Sequence, residues 1–139
     1  ANAMVIPVPP SVVDFASTVS FIDMARTTMK QLEQLAKRVK PAYNFIRLVG
    51  SRVDESKSMH REILSMMRQV FGGSMATSVL KTSAEIDNAS SRMKTVFELD
   101  RPVTSHEVHN RCMKHLSDVC REIEADVIRS WASRAGEAV

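Results

Sequence analysis

The sequence predicts an all-α protein, an antiparallel four-helix-type bundle, on three observations. Apolar residues recur at three-four spacing in four segments, proline and glycine punctuate the gaps between them, and no useful stretch alternates with period two. The cleanest stripe is Met75, Val79, Thr82, Ile86, Ala89, Met93 and Val96, a spacing that keeps one helical face turned toward a partner. A bundle hosts many functions and identifies none, so function must be sought in side-chain constellations.

With 139 residues, a net charge of +3 and apolar and charged fractions of 44% and 25%, the chain has the make-up of one soluble domain. Ala1, Asn2 and Ala3 ahead of Met4 read as a cloning remnant, with Met4 as the native start. No basic cluster follows Met4. The apolar stretch 12–22 is interrupted by Asp14, Ser17, Thr18 and Ser20, so neither a signal peptide nor a spanning helix is predicted, and a cytoplasmic protein is expected.

The elements follow in order. Residues 4–10, with Pro7, Pro9 and Pro10, read as an extended lead-in outside the bundle domain 11–135, which is followed by a tail at 136–139. Ser11 is a natural N-cap with Asp14 three residues on. The first helix, over about 12–40, carries Phe15, Thr18, Ile22, Ala25, Met29 and Leu32 to Pro41, which ends or kinks it. A short extra helix near 42–49 closes one end of the bundle and stops at Gly50. The second long helix, over about 52–71, buries Met59, Ile63, Met66 and Val70 and stops at Gly72 and Gly73. Ser74 caps the third, over about 75–98, which the approach to Pro102 ends. Thr104 and Glu107 form a capping box for the fourth, over about 105–134, along Val108, Cys112, Leu116, Val119, Ile123, Val127 and Trp131. Short connections make these neighbours antiparallel.

Little in the chain has catalytic spacing. Cys112 and Cys120 lie eight apart in one helix, roughly 12 Å along its axis, so they read as reduced thiols rather than a disulfide. The densest polar cluster is His106, Glu107, His109, Cys112 and His115, but its first two histidines are three apart where a zinc-protease helix needs four. Steps of three turn the direction by about 60° each, so one helix cannot aim all of them at one ion. No metal site is predicted; the pair closest to ligand geometry is His109 with Cys112. Two Ser-x-x-Lys matches, at Ser78 and Ser91, lack their companion motifs. No catalytic residue and no cofactor is therefore expected, and the sequence points away from an enzyme.

Two functional readings remain. Phe21 and Leu35 in the first helix, and Leu64, Met67 and Phe71 in the second, lie beside the main stripes and exceed what one core needs. They predict association with a protein partner or with a second copy, as a homodimer. The alternative is binding to nucleic acid or an anionic surface: from Arg26 to Arg52 there are seven basic residues against one acid, Glu33. Within it Arg26, Lys30, Lys37, Lys40, Tyr43, Arg47 and Arg52 interleave cations with an aromatic ring, a pattern suited to phosphates and bases.

Overall fold

The computed structural model describes residues 3–36 and 43–137. It is mostly helical but is not a bundle. The order is β1 (Ala3–Val8), α1 (Val12–Leu35), β2 (Phe45–Gly50), α2 (Ser58–Phe71), α3 (Ala84–Ser91) and α4 (His106–Glu137), with 3₁₀ turns at Gly72–Ser74 and Val96–Glu98. β1 and β2 form a two-stranded parallel sheet, Ala3 beside Phe45 through Val8 beside Gly50. This sheet overturns the four-helix expectation.

Residues 4–8, expected as a lead-in outside the fold, form most of β1. Val5, Ile6 and Val8 are β-branched and suit a pleated ladder. Pro7 is tolerated because alternate residues of a parallel strand turn their backbone groups to the same neighbour. The Val8 carbonyl accepts from Ser51 N–H at 3.0 Å, so Pro7, one residue earlier, lacks its N–H on the side away from β2.

Of the short helix expected at 42–49, residues 45–49 instead form most of β2, and Ala42 lies outside the described residues. Phe-Ile-Arg-Leu-Val-Gly is a continuous apolar run broken only by Arg47, the signature of a strand buried on both faces. Leu48 faces α1 and α2 in a core with Val8, Ile22, Ile63, Met67 and Met75, whereas Val49 packs the other way against Ala76 and Val119 of α4. Gly50 fits a tight place: a Cβ there would sit 3.0 Å from Leu64 Cδ1 and 3.1 Å from Val79 Cγ1, so those side chains would have to shift.

The helix expected over 75–98 also fails. Residues 75–82 form no helix but pass beside β2 and Val53, with isolated bridges Leu48–Met75 and Val53–Lys81 and a bend at Thr77 and Ser78 between them. Ala76 N–H donates to the Leu48 carbonyl at 2.7 Å and Leu80 N–H to that of Gly50 at 2.8 Å. Thr77, Val79 and Thr82 are β-branched, and backbone partners on β2 decide against a helix. Only eight residues of the stripe's segment become α3, and their N-cap is Ser83 rather than Ser74. The first helix keeps its register: Ser11 Oγ accepts from Asp14 N–H at 3.0 Å, and Thr18 and Ile22 are buried.

In α2 only Ile63 of the row expected inside is buried, and the neighbouring row takes the place of the rest. Ile63 and Met67 are buried, with Leu64 and Phe71 packed against the same core, whereas Met59, Met66 and Val70 are exposed. In α4 the row through Cys112, Val119 and Ile123 faces inward, but Ser105, not Thr104, caps the helix through Val108 N–H.

Candidate nucleic-acid interface

Among the described residues, one of the expected cations is already committed inside the fold. Arg26 and Lys30 are exposed on α1, Tyr43 is half-buried and Arg52 is exposed with φ +54°, while Lys37 and Lys40 lie outside the described residues. Arg47 is occupied: it grips Asp126 of α4 with two bonds of 2.7 Å and the Gly73 carbonyl with a third of 2.6 Å. Only 16% of its side chain and 4% of Asp126 are exposed. Burial pushes the Asp126 carboxyl up, but bonds from Arg47 and Arg129 outweigh it and hold the group below its ordinary range. This cation ties β2 to α4 and is not free for a ligand.

Of the apolar candidates, Phe21 and Leu35 are exposed and Leu64 and Phe71 half-buried. Met67 is completely buried in the core, so it cannot form part of a surface row. His109 Nδ1 donates to Glu85 and Cys112 is a buried free thiol; among the described residues no group of three or more metal-ligating side chains is gathered. No described helix is long and apolar enough to cross a membrane.

A different set of cations converges. At the end of α3 the chain turns through Arg92 and Met93, the latter with φ +56° and 94% exposed. Thr95 and Glu98 then close a capping box, Glu98 accepting from Thr95 N–H at 2.7 Å and from its hydroxyl at 2.8 Å. Val96 and Leu99 anchor this loop on Ala89 and Cys112. Above that small core, Arg92, Lys94, Leu99, Asp100 and Arg101 line a concavity of about 290 Å³. All three cations are exposed. Sequence reasoning missed them because it assigned 92–98 to a helix; the signal available was Arg92, Lys94 and Arg101 close together around a segment bounded by Pro102.

Beyond Leu99, residues 103 and 104 are held from below by one side chain. Glu85, fully buried, accepts from Val103 N–H at 2.8 Å, Thr104 N–H at 2.9 Å and the Thr104 hydroxyl at 2.5 Å, and pairs with His109 Nδ1 at 2.9 Å. Burial pushes this carboxyl up, and the bonds from Thr104, Val103 and His109 outweigh it, holding the group at about 2.

No family model matches the chain. It is similar to the putative replication protein A of Rhizobium rhizogenes, 24% identical over 132 residues that cover 94% of this chain and 32% of that protein. It is also similar to protein SopA of Escherichia coli K12, 26% identical over 137 residues, 96% of this chain and 34% of that one. Among solved structures a partition protein aligns with a TM-score of 0.52 and 25% identity, over 70% of this chain and 28% of the other. The chain thus spans about a third of the length of the relatives it matches.

Proposed function

We propose that this chain is the nucleic-acid-contacting part of a replication or partition protein, and that Arg92, Lys94 and Arg101 make the contact. The observation that carries this reading is the convergence of three exposed cations, from the two ends of one loop, on a single concavity. The similarity to replication and partition proteins supports it. Cations so placed neutralise phosphates and release counterions, which gives affinity without sequence preference. Met93, between Arg92 and Lys94, adds an apolar tip able to lie against sugar or base. Asp100 on the same rim opposes the phosphates and keeps the affinity modest. Arg26 and Lys30, four apart on α1, and Arg52 are exposed but do not line this concavity.

Fluorescence anisotropy with duplex oligonucleotides at several salt concentrations tests this. Wild-type affinity is expected on the order of 10⁻⁴–10⁻⁶ M, insensitive to sequence. Replacing Arg92, Lys94 and Arg101 by alanine together should lower the slope of log affinity against log salt by about 2.7, for three lost phosphate contacts. An unchanged slope would remove this loop from the interface.

A second reading is favoured by α1. Val13, Phe21, Met24, Leu32 and Leu35 are all exposed and fall within about 100° of one another on the helix at 100° per residue. This second apolar row, beside the buried one, suits a protein partner, and a second copy of the chain is the simplest.

A further inference from the structure

We propose that Glu85 is the positioning residue of the basic concavity, holding Arg101 where Arg92 and Lys94 can share a phosphate backbone with it; this rests on the nucleic-acid reading above. A fully buried carboxylate is an expensive way to fill space, and an apolar side chain would fill the same site without a desolvation cost. Glu85 is kept charged by donors that come from two segments: the backbone and hydroxyl of 103–104, and the ring of His109 on α4. The first of these segments begins two residues after Arg101. Residues 100–104 have neither helix nor strand, and the backbone bonds on either side stop at Leu99 and Ser105, so backbone bonding does not fix the stretch that carries Arg101. Glu85 does.

The geometry makes α3 a strut. Its first turn carries Glu85, which grips the segment bearing Arg101; its last turn leads into Arg92 and Lys94. From residue 85 to 92 the helix axis spans about 10 Å. Both arms of the basic loop are therefore referenced to one rigid element, Arg92 through the chain and Arg101 through the carboxylate. Inserted between them, Ala89 packs on Val96 and Cys112 and sets the height of the loop over α4.

The sign of one substitution separates this role from a purely electrostatic one. Glu85→Gln removes a negative charge from the protein, so if Glu85 acted only through its charge, affinity for DNA would rise. As a positioning residue, its loss frees Arg101 and affinity falls. The expected result, by anisotropy with duplex DNA well below the thermal transition, is binding about three- to tenfold weaker and a salt slope lower by about 0.9, one phosphate contact. Glu85→Gln combined with Arg101→Ala should bind no more weakly than Arg101→Ala alone. Should Glu85→Gln fail to fold, Thr104→Val removes one donor and keeps the charge, and it too should weaken binding with a lower slope. Unchanged or tighter binding in Glu85→Gln, or unchanged binding in Thr104→Val where only that variant folds, overturns the proposal while leaving the nucleic-acid reading standing. A wild-type protein that does not bind DNA at all overturns both.

Discussion

Glu85, Glu122 and Asp126 do at three places what hydrophobic contacts cannot: each fixes the position of a particular loop or cation. Glu122 of α4 accepts from Thr77 N–H at 2.7 Å and Ser78 N–H at 2.9 Å, pinning the bend beside β2. Burial pushes its carboxyl up and those backbone bonds outweigh it, so it too titrates below its ordinary 4.5. All three groups are more acidic folded than unfolded. Their contribution is thus fully present above the unfolded carboxylate range and is lost as pH falls through the folded values, which for Glu85 means from 4.5 toward about 2. Urea unfolding between pH 7 and pH 2 should show these carboxylates contributing a flat term above about pH 5 and a falling one below it. Glu85→Gln should flatten the lower part of that fall. Equal pH dependence in the two proteins would mean that Glu85 is not the charged acceptor its four bonds imply.

The elements divide by how local their causes are. Helix α1 was legible because Ser11, Asp14 and the row Phe15, Thr18, Ile22 act within a turn or two of one another. The inward face of α4 was legible for the same reason. Strands β1 and β2 were not, since each is defined by the other across the intervening α1, and the continuous apolar run of β2 suits a buried helix as well as a buried strand. In residues 75–82 the three-four spacing was real, but the backbone bonds to β2 overrode it. Row assignment in α2 failed because Met66 and Met67 offer equal hydrophobicity one residue apart, and only the sheet decides which faces it. Met67→Ala should cost about 2–5 kcal/mol, whereas Met66→Ala should stay within about 0.5 kcal/mol. Thermal denaturation followed by circular dichroism measures both. The site was invisible for a further reason: Arg47 counts as a free cation until Asp126, far along the chain, is known to hold it. Arg92 and Arg101 acquire meaning only once the loop between them closes.

At the scale of the whole molecule, the sheet is unusually small for its type. Parallel strands are ordinarily covered on both faces and flanked by further strands, and here β2 meets that condition with α1 and α2 on one side and α4 on the other. β1 does not. Val5 is 41% exposed on its outer face, and among the described residues β1 pairs with β2 alone. The molecule therefore offers two apolar surfaces that a second copy could cover, the β1 edge and the second row of α1, and they make different demands. Edge pairing depends on backbone groups and a flat strand, which a lysine at Val5 would disturb; helix pairing depends on side chains, which Phe21→Glu or Leu35→Glu would repel, Leu35 being 82% exposed. Because the α1 row is longer and presents whole side chains, light scattering at high micromolar concentration is expected to give a dimer for the wild type and for Val5→Lys, and a folded monomer for Phe21→Glu and Leu35→Glu. A monomer with Val5→Lys alone would transfer the contact to the sheet edge, and a monomeric wild type would remove self-association as the role of the α1 row.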